Sequence, residues 1–127
     1  MTMTVEQYRQ LPDREDVVQE LHGGVVVTFA RPKMKQAKLQ SRLAKLLRPK
    51  AEHSGVVETE VAFRALPEYD LRGAEVAYVS QQRWDTAPDD DNLRGSPELV
   101  IEVLSPSNTK AGIHKKAVLC LSSGAQE

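Results

Sequence analysis

With 127 residues, 28% of them charged, and a formal net charge of −1, the chain is sized for one domain around one core, and it carries no overall basic footprint for nonspecific nucleic-acid binding. A single cysteine, Cys120, excludes an intramolecular disulfide framework and fits a reducing, cytoplasmic setting. No apolar run approaches the roughly 18 residues of a membrane span, and Met1–Glu6 reads as neither a basic leader nor an apolar signal core. Thr4-Val5-Glu6-Gln7 has the spacing of a capping box, and Pro12 closes the short helix it starts. Val17 to Leu21 and Val25 to Phe29 flank His22-Gly23-Gly24, where glycines supply the positive φ of a tight hairpin.

From Arg31 to Lys50 there are eight basic residues and no acid. Leu39, Leu43, Leu46 and Leu47 recur at helical spacing, which predicts an amphipathic helix over roughly Lys33 to Leu47 with these leucines on the core and an end near Pro49. Lys35, Lys38, Arg42 and Lys45 line up beside that stripe. They read either as a solvated helix face or as a ridge contacting nucleic-acid phosphates. Gly55 opens Val56 to Phe63, whose alternation marks a half-exposed strand, and Pro67 to Gly73 is a loop before the strand Glu75 to Val79. Gln81 to Ser96 reads as an irregular, solvated stretch that Trp84 packs onto the body of the domain. Pro97 to Leu104 then reads as a strand buried on both faces, with Glu102 inside it, followed by a Ser-Pro turn. Ser107, Asn108 or Thr109 caps a last helix running to about Leu121, with Gly124 just past its end. The order predicts a single α/β domain over 1–127, a small mixed sheet flanked by helices.

A carboxylate inside a buried strand is expensive unless it is used. Hydrolysing a phosphodiester needs a hard cation on oxygen ligands, an activated water, and positive charge facing the developing charge on phosphorus. Glu75 and Glu102, on neighbouring strands, suit the ligand role. Counting about 100° per residue along the last helix puts Ile113, Ala117 and Cys120 inward, Lys116 at the edge of that stripe and Lys115 pointing away. Lys116 is therefore the lysine that reaches the site, its stem packing inward. The competing structural reading pairs Glu102 with an arginine such as Arg72 or Arg94 and leaves Lys116 as ordinary surface. His22, His53 and His114 lack metal-ligand spacing, and Cys120 belongs to the core.

Thr4-Val5-Glu6-Gln7-Tyr8, Glu20-Leu21-His22-Gly23-Gly24-Val25-Val26, Arg72 to Ser80, and Pro97 to Ser107 resemble, in order, the Uma-type family of putative restriction endonucleases, a bacterial branch of the PD-(D/E)xK nuclease superfamily. The resemblance implies a restriction-endonuclease-like fold, a magnesium- or manganese-dependent nuclease site acting on DNA, and a tendency to form homodimers. Residue by residue, Glu20 matches the family's early glutamate, Glu75 the acid of its Pro-Asp pair, Glu102 the second strand acid, and Lys116 the lysine carried by the following helix. Ala74-Glu75 departs from Pro-Asp, placing the carboxylate one methylene further out. The family continues past Glu127 with an aromatic-rich strand, so the expected sheet lacks that C-terminal strand. The alternative to an endonuclease is a catalytically inactive nuclease-like scaffold serving as a nucleic-acid-binding or protein-interaction module.

Overall fold

Thr4 opens the first ordered element. Its hydroxyl accepts from the Gln7 amide at 3.2 Å while Gln7 Oε1 accepts from the Thr4 amide at 2.9 Å, the reciprocal box that the spacing predicts. In this computed structural model, which describes residues 2–105 and 108–127, the box starts helix α1 (Val5–Arg9). Strands β1 (Val17–His22) and β2 (Val25–Ala30) pair in antiparallel register around Gly23 and Gly24, whose φ values of +56° and +88° are the left-handed pair that a two-residue hairpin turn requires. Buried Leu21 exchanges backbone hydrogen bonds of 2.8 and 2.9 Å with Leu71, docking the hairpin beside the main sheet. The buried Asp70–Arg72 pair reinforces that junction, both contacts being 2.8 Å, and Asp70 also accepts from the Gly23 amide.

Helix α2 (Met34–Ala51) is longer than its periodicity predicts and passes through Pro49, which falls in its last turn. Its sheet-facing stripe is Gln40, Leu43, Ala44, Leu47 and Ala51; of the expected leucines, Leu39 and Leu46 are 39% and 63% exposed. Leu43 and Leu47 pack on the same layer as Ala44 and Ala51, so the helix turns two of its four leucines to the sheet and two to solvent. The sheet itself comprises β3 (Gly55–Arg64), β4 (Arg72–Ser80), β5 (Leu93–Arg94) and β6 (Leu99–Ile101), in the order β5-β3-β4-β6. The β5–β3 pair is parallel and the other two are antiparallel, which makes the sheet mixed as expected.

Between β4 and β5 the chain forms helix α3 (Gln81–Thr86), where the sequence predicts only irregular structure. No apolar period marks it; Arg83 holds the segment by donating to the carbonyls of Ser96 and Arg94 and to Glu98 Oε1, at 2.9, 2.9 and 2.6 Å. Trp84 remains 40% exposed. Strand β6 stops at Ile101, so Glu102 stands just beyond it rather than inside a doubly buried strand. Thr109 caps helix α4 (Lys110–Ser122), accepting from the Gly112 amide, and Gly124 follows it. The Ser-Pro turn at Pro106-Ser107, and Ser107 as a cap, lie outside the described residues. In α4 only Cys120 of the expected stripe is buried; Ile113 and Ala117 face solvent.

Two apolar layers cover the sheet. Ala44, Ala51, Val57 and Val76 pack on the α2 side, and Phe63, Ala65, Ala74, Ala77 and Cys120 on the α4 side. Val57 and Phe63 share a parity on β3, as Val76 and Ala74 do on β4, yet the members of each pair pack on opposite layers. The exchange falls at the rung of Glu60 and Glu75. There Glu60 adopts φ +55° and the pairing lapses between Thr59↔Val76 and Val61↔Ala74 without any inserted residue. A left-handed non-glycine residue costs on the order of 1–3 kcal/mol, and such strain concentrates where strands are re-aimed toward a site.

Candidate active site

Four side chains singled out in the sequence meet at the ends of β4 and β6. Glu102 Oε1 lies 2.5 Å from Lys116 Nζ, an ion pair without hydrogen-bond alignment, and that oxygen is otherwise buried without a partner. Burial pushes the Glu102 carboxyl up to about 7; Lys116 opposes the rise, and the charges of Glu75 and Glu20 add to it. Lys116 also donates to the Gly73 carbonyl at 2.9 Å. The helical spacing of Lys116 from buried Cys120, four residues on, keeps its stem on the sheet side, although Ile113 and Ala117 do not share that face. The arginines weighed as structural partners are engaged elsewhere, Arg72 with Asp70 and Arg94 near Asp91.

Glu75 belongs to β4, and the β4–β6 register of Val76↔Ile101 makes Glu102 its opposite number one step beyond the last pair. Glu75 Oε2 accepts from the Val103 amide at 2.6 Å, which ties the two acidic segments together. Its pKa is raised, chiefly by burial and further by Glu60, against the pull of the Val103 amide and Lys116. Glu20 is more distant in chain and differently employed. Its Oε2 accepts from the Gly73 amide at 2.6 Å and its Oε1 lies 2.7 Å from His22 Nε2. Burial raises its pKa, but the hydrogen bonds from His22 and Gly73 and the Lys116 charge outweigh burial, and the net direction is down.

These contacts form one chain: His22 to Glu20, Glu20 to the Gly73 N–H, the Gly73 carbonyl to Lys116, and Lys116 to Glu102. A peptide polarised from both sides in a low-dielectric setting strengthens each neighbouring bond. Glu20 thus fixes the peptide that holds the lysine. Among the described residues, no group of three or more His, Cys, Asp or Glu side chains is placed to share a metal ion. Glu75 and Glu102 remain as a pair of desolvated, mutually repelling carboxylates, one oxygen of which has no aligned donor. That donor set fits a hard divalent cation, which would neutralise both and complete its coordination with water.

His22, Gly73, Gln40 and Glu60 border the cluster unforeseen. His22 shares a strand face with Glu20 by the two-residue repeat, and Gln40 is a polar residue at an inner helix position, so both carried a readable signal. The Gly73 peptide and the Glu60 backbone carried none. Lys35, Lys38, Arg42 and Lys45 are all exposed on α2, and Lys38, Arg42 and Lys45 line a shallow concavity of about 260 Å³. At about 100° per residue they lie opposite the stripe of Gln40 and Ala44 that faces the sheet. The basic ridge and the acidic cluster are therefore separate surfaces. No helix among the described residues is long and apolar enough to cross a membrane.

Residues 5–127 match the family model Uma2, described as putative restriction endonuclease. Among solved structures, the chain is similar to the crystal structure of a putative nuclease belonging to DUF820 from Anabaena variabilis. Sequence identity is 19%, the TM-score is 0.75, and the match covers 98% of this chain and 70% of that one, a likeness of fold. No curated protein matches the chain.

Proposed function

The chain belongs to the Uma2 family of putative restriction endonucleases, and from that premise we propose that it is a divalent-cation-dependent endonuclease hydrolysing DNA phosphodiester bonds, with magnesium or manganese held by Glu75 and Glu102. The observation that carries the reading is the half-buried Glu102 carboxylate, one oxygen of which is shielded from solvent and paired with Lys116, facing a second acid across the β4–β6 register. When bound, the ion supplies Lewis-acid charge at the phosphate and lowers the pKa of water. Lys116, restrained by the Gly73 carbonyl, presents a fixed ammonium to charge developing on phosphorus. Glu20 is a positioning residue that clamps the Gly73 peptide. The working assembly in this reading is a homodimer, which sedimentation checks.

Incubation with supercoiled plasmid and magnesium is expected to give nicked and linear DNA, with chelator, Glu102→Ala and Lys116→Ala each removing the products. Cleavage retained by Glu102→Ala would sink the assignment. A second reading, an inactive scaffold that binds nucleic acid, draws support from two features. Lys116 already counters the Glu102 charge, and α2 carries an exposed basic ridge. That scaffold would bind DNA equally well with chelator present and would cut nothing.

A further inference from the structure

Gln40 is 4% exposed on the sheet-facing stripe of α2, and its amide nitrogen lacks an aligned hydrogen-bond acceptor although its side chain reaches the Glu75 carboxylate. A buried donor left without an acceptor costs about 1–3 kcal/mol, so an apolar residue at this position would be the more stable choice for packing alone. The same side chain lines an open cleft of about 320 Å³ between α2 and β3, together with Ser41, Arg48, Thr59 and Glu60. Glu60 stands at the rung of Glu75 in the left-handed conformation that glycine would adopt without strain. Both groups lie close enough to interact with the Glu75 carboxylate, Gln40 through its side chain and Glu60 across the β3–β4 rung. A carboxamide donor and a carboxylate acceptor beside a candidate ion ligand are complementary to the two ends of a water molecule.

We propose that Glu60 and Gln40 form the outer shell of the divalent-cation site, the Gln40 amide donating to and the Glu60 carboxylate accepting from the water that surrounds an ion held by Glu75 and Glu102. Glu60 is not an inner ligand, since no three such side chains among the described residues are placed to share an ion. The inference rests on the nuclease reading above and assigns that site a second layer of residues. It also gives the strained backbone a role, since outer-shell partners commonly change metal affinity by about 10- to 100-fold.

Calorimetric titration of manganese into the full chain tests it. Glu60→Gln, isosteric and on an exposed residue, is expected to weaken manganese binding by about tenfold or more, Gln40→Leu to do likewise, and Glu102→Gln to abolish it. Glu60→Gly separates this role from a structural one: relief of the left-handed strain raises Tm while manganese affinity falls. Wild-type affinity in Glu60→Gln, with binding lost in Glu102→Gln, overturns the outer shell and leaves the nuclease reading standing. A folded wild type that binds no manganese overturns both.

Discussion

In the proposed ion site, Glu102 would set folding against ion binding in a single side chain. Burial first, then the charges of Glu75 and Glu20, raise its carboxyl to about 7 against the attraction of Lys116. In the unfolded chain the same group titrates near its ordinary value of about 4.3. A folded-state pKa above the unfolded one means that the fold prefers the protonated acid. The contribution of Glu102 to stability is therefore complete below about pH 4 and is lost as pH rises toward 7, by on the order of 3 kcal/mol at most. Urea denaturation of the metal-free protein across that window is expected to show wild-type stability declining relative to Glu102→Gln, which has no proton to lose. Parallel pH profiles for the two proteins would show that ionisation of Glu102 is not a folding cost. Manganese added near pH 7 is expected to restore wild-type stability and leave the Glu102→Gln protein unchanged, because a ligand that binds only the folded state stabilises it.

At the scale of elements, α2 presents two unrelated faces, and each has its own consequence. The outer face carries Lys35, Lys38, Arg42 and Lys45. If Lys38 and Arg42 contact phosphates, replacing both by glutamate reduces the slope of log affinity against log salt by about 2 on DNA. Fluorescence anisotropy with a labelled duplex over a salt series reads that slope; an unchanged slope makes the ridge ordinary solvated surface. The inner face shows where sequence reasoning holds and where it stops. The Thr4 box, the Gly23-Gly24 hairpin and the alternation of β3 were legible because each is decided by neighbours in the chain. Hydropathy ranks leucine above alanine and so places Leu39 and Leu46 on the core, whereas the helix rotation that buries Gln40, Ala44 and Ala51 brings only Leu43 and Leu47 to the sheet. Helix α3 was invisible because Arg83 hydrogen bonds hold it without an apolar stripe. In the candidate site, the meeting of Glu75, Glu102 and Lys116 is legible from residue type and spacing, while Glu20 enters by family resemblance. The Gly73 bridge and the turned backbone at Glu60 arise only when distant segments meet.

The molecule as a whole is tied together away from the site by one carboxylate. Asp91 Oδ1 accepts from Arg9 of α1 at 2.7 Å and from Arg64 at the end of β3 at 2.9 Å, while Oδ2 lies 3.6 Å from Arg94 of β5. Arg64 is 3% exposed, so its charge depends on Asp91 for compensation, helped by the Pro67 carbonyl at 2.6 Å. The hydrogen bond from Arg9, then the Asn92 amide and Arg64, hold the Asp91 carboxyl well below the usual carboxylate range. With the folded pKa depressed, unfolding takes up a proton in acid. The stabilisation by Asp91 is therefore present above about pH 4 and is lost as pH falls below that value toward the folded pKa. Asp91→Asn keeps the shape, removes the charge and leaves Arg64 poorly compensated, so it is expected to cost about 3 kcal/mol near pH 7. The same comparison at about pH 2 is expected to show the gap narrowed, because unfolding of the wild type then takes up a proton at Asp91 and unfolding of the variant does not. A gap of constant size at both pH values would assign the role of Asp91 to packing, and the union of α1, β3 and β5 would then not be electrostatic.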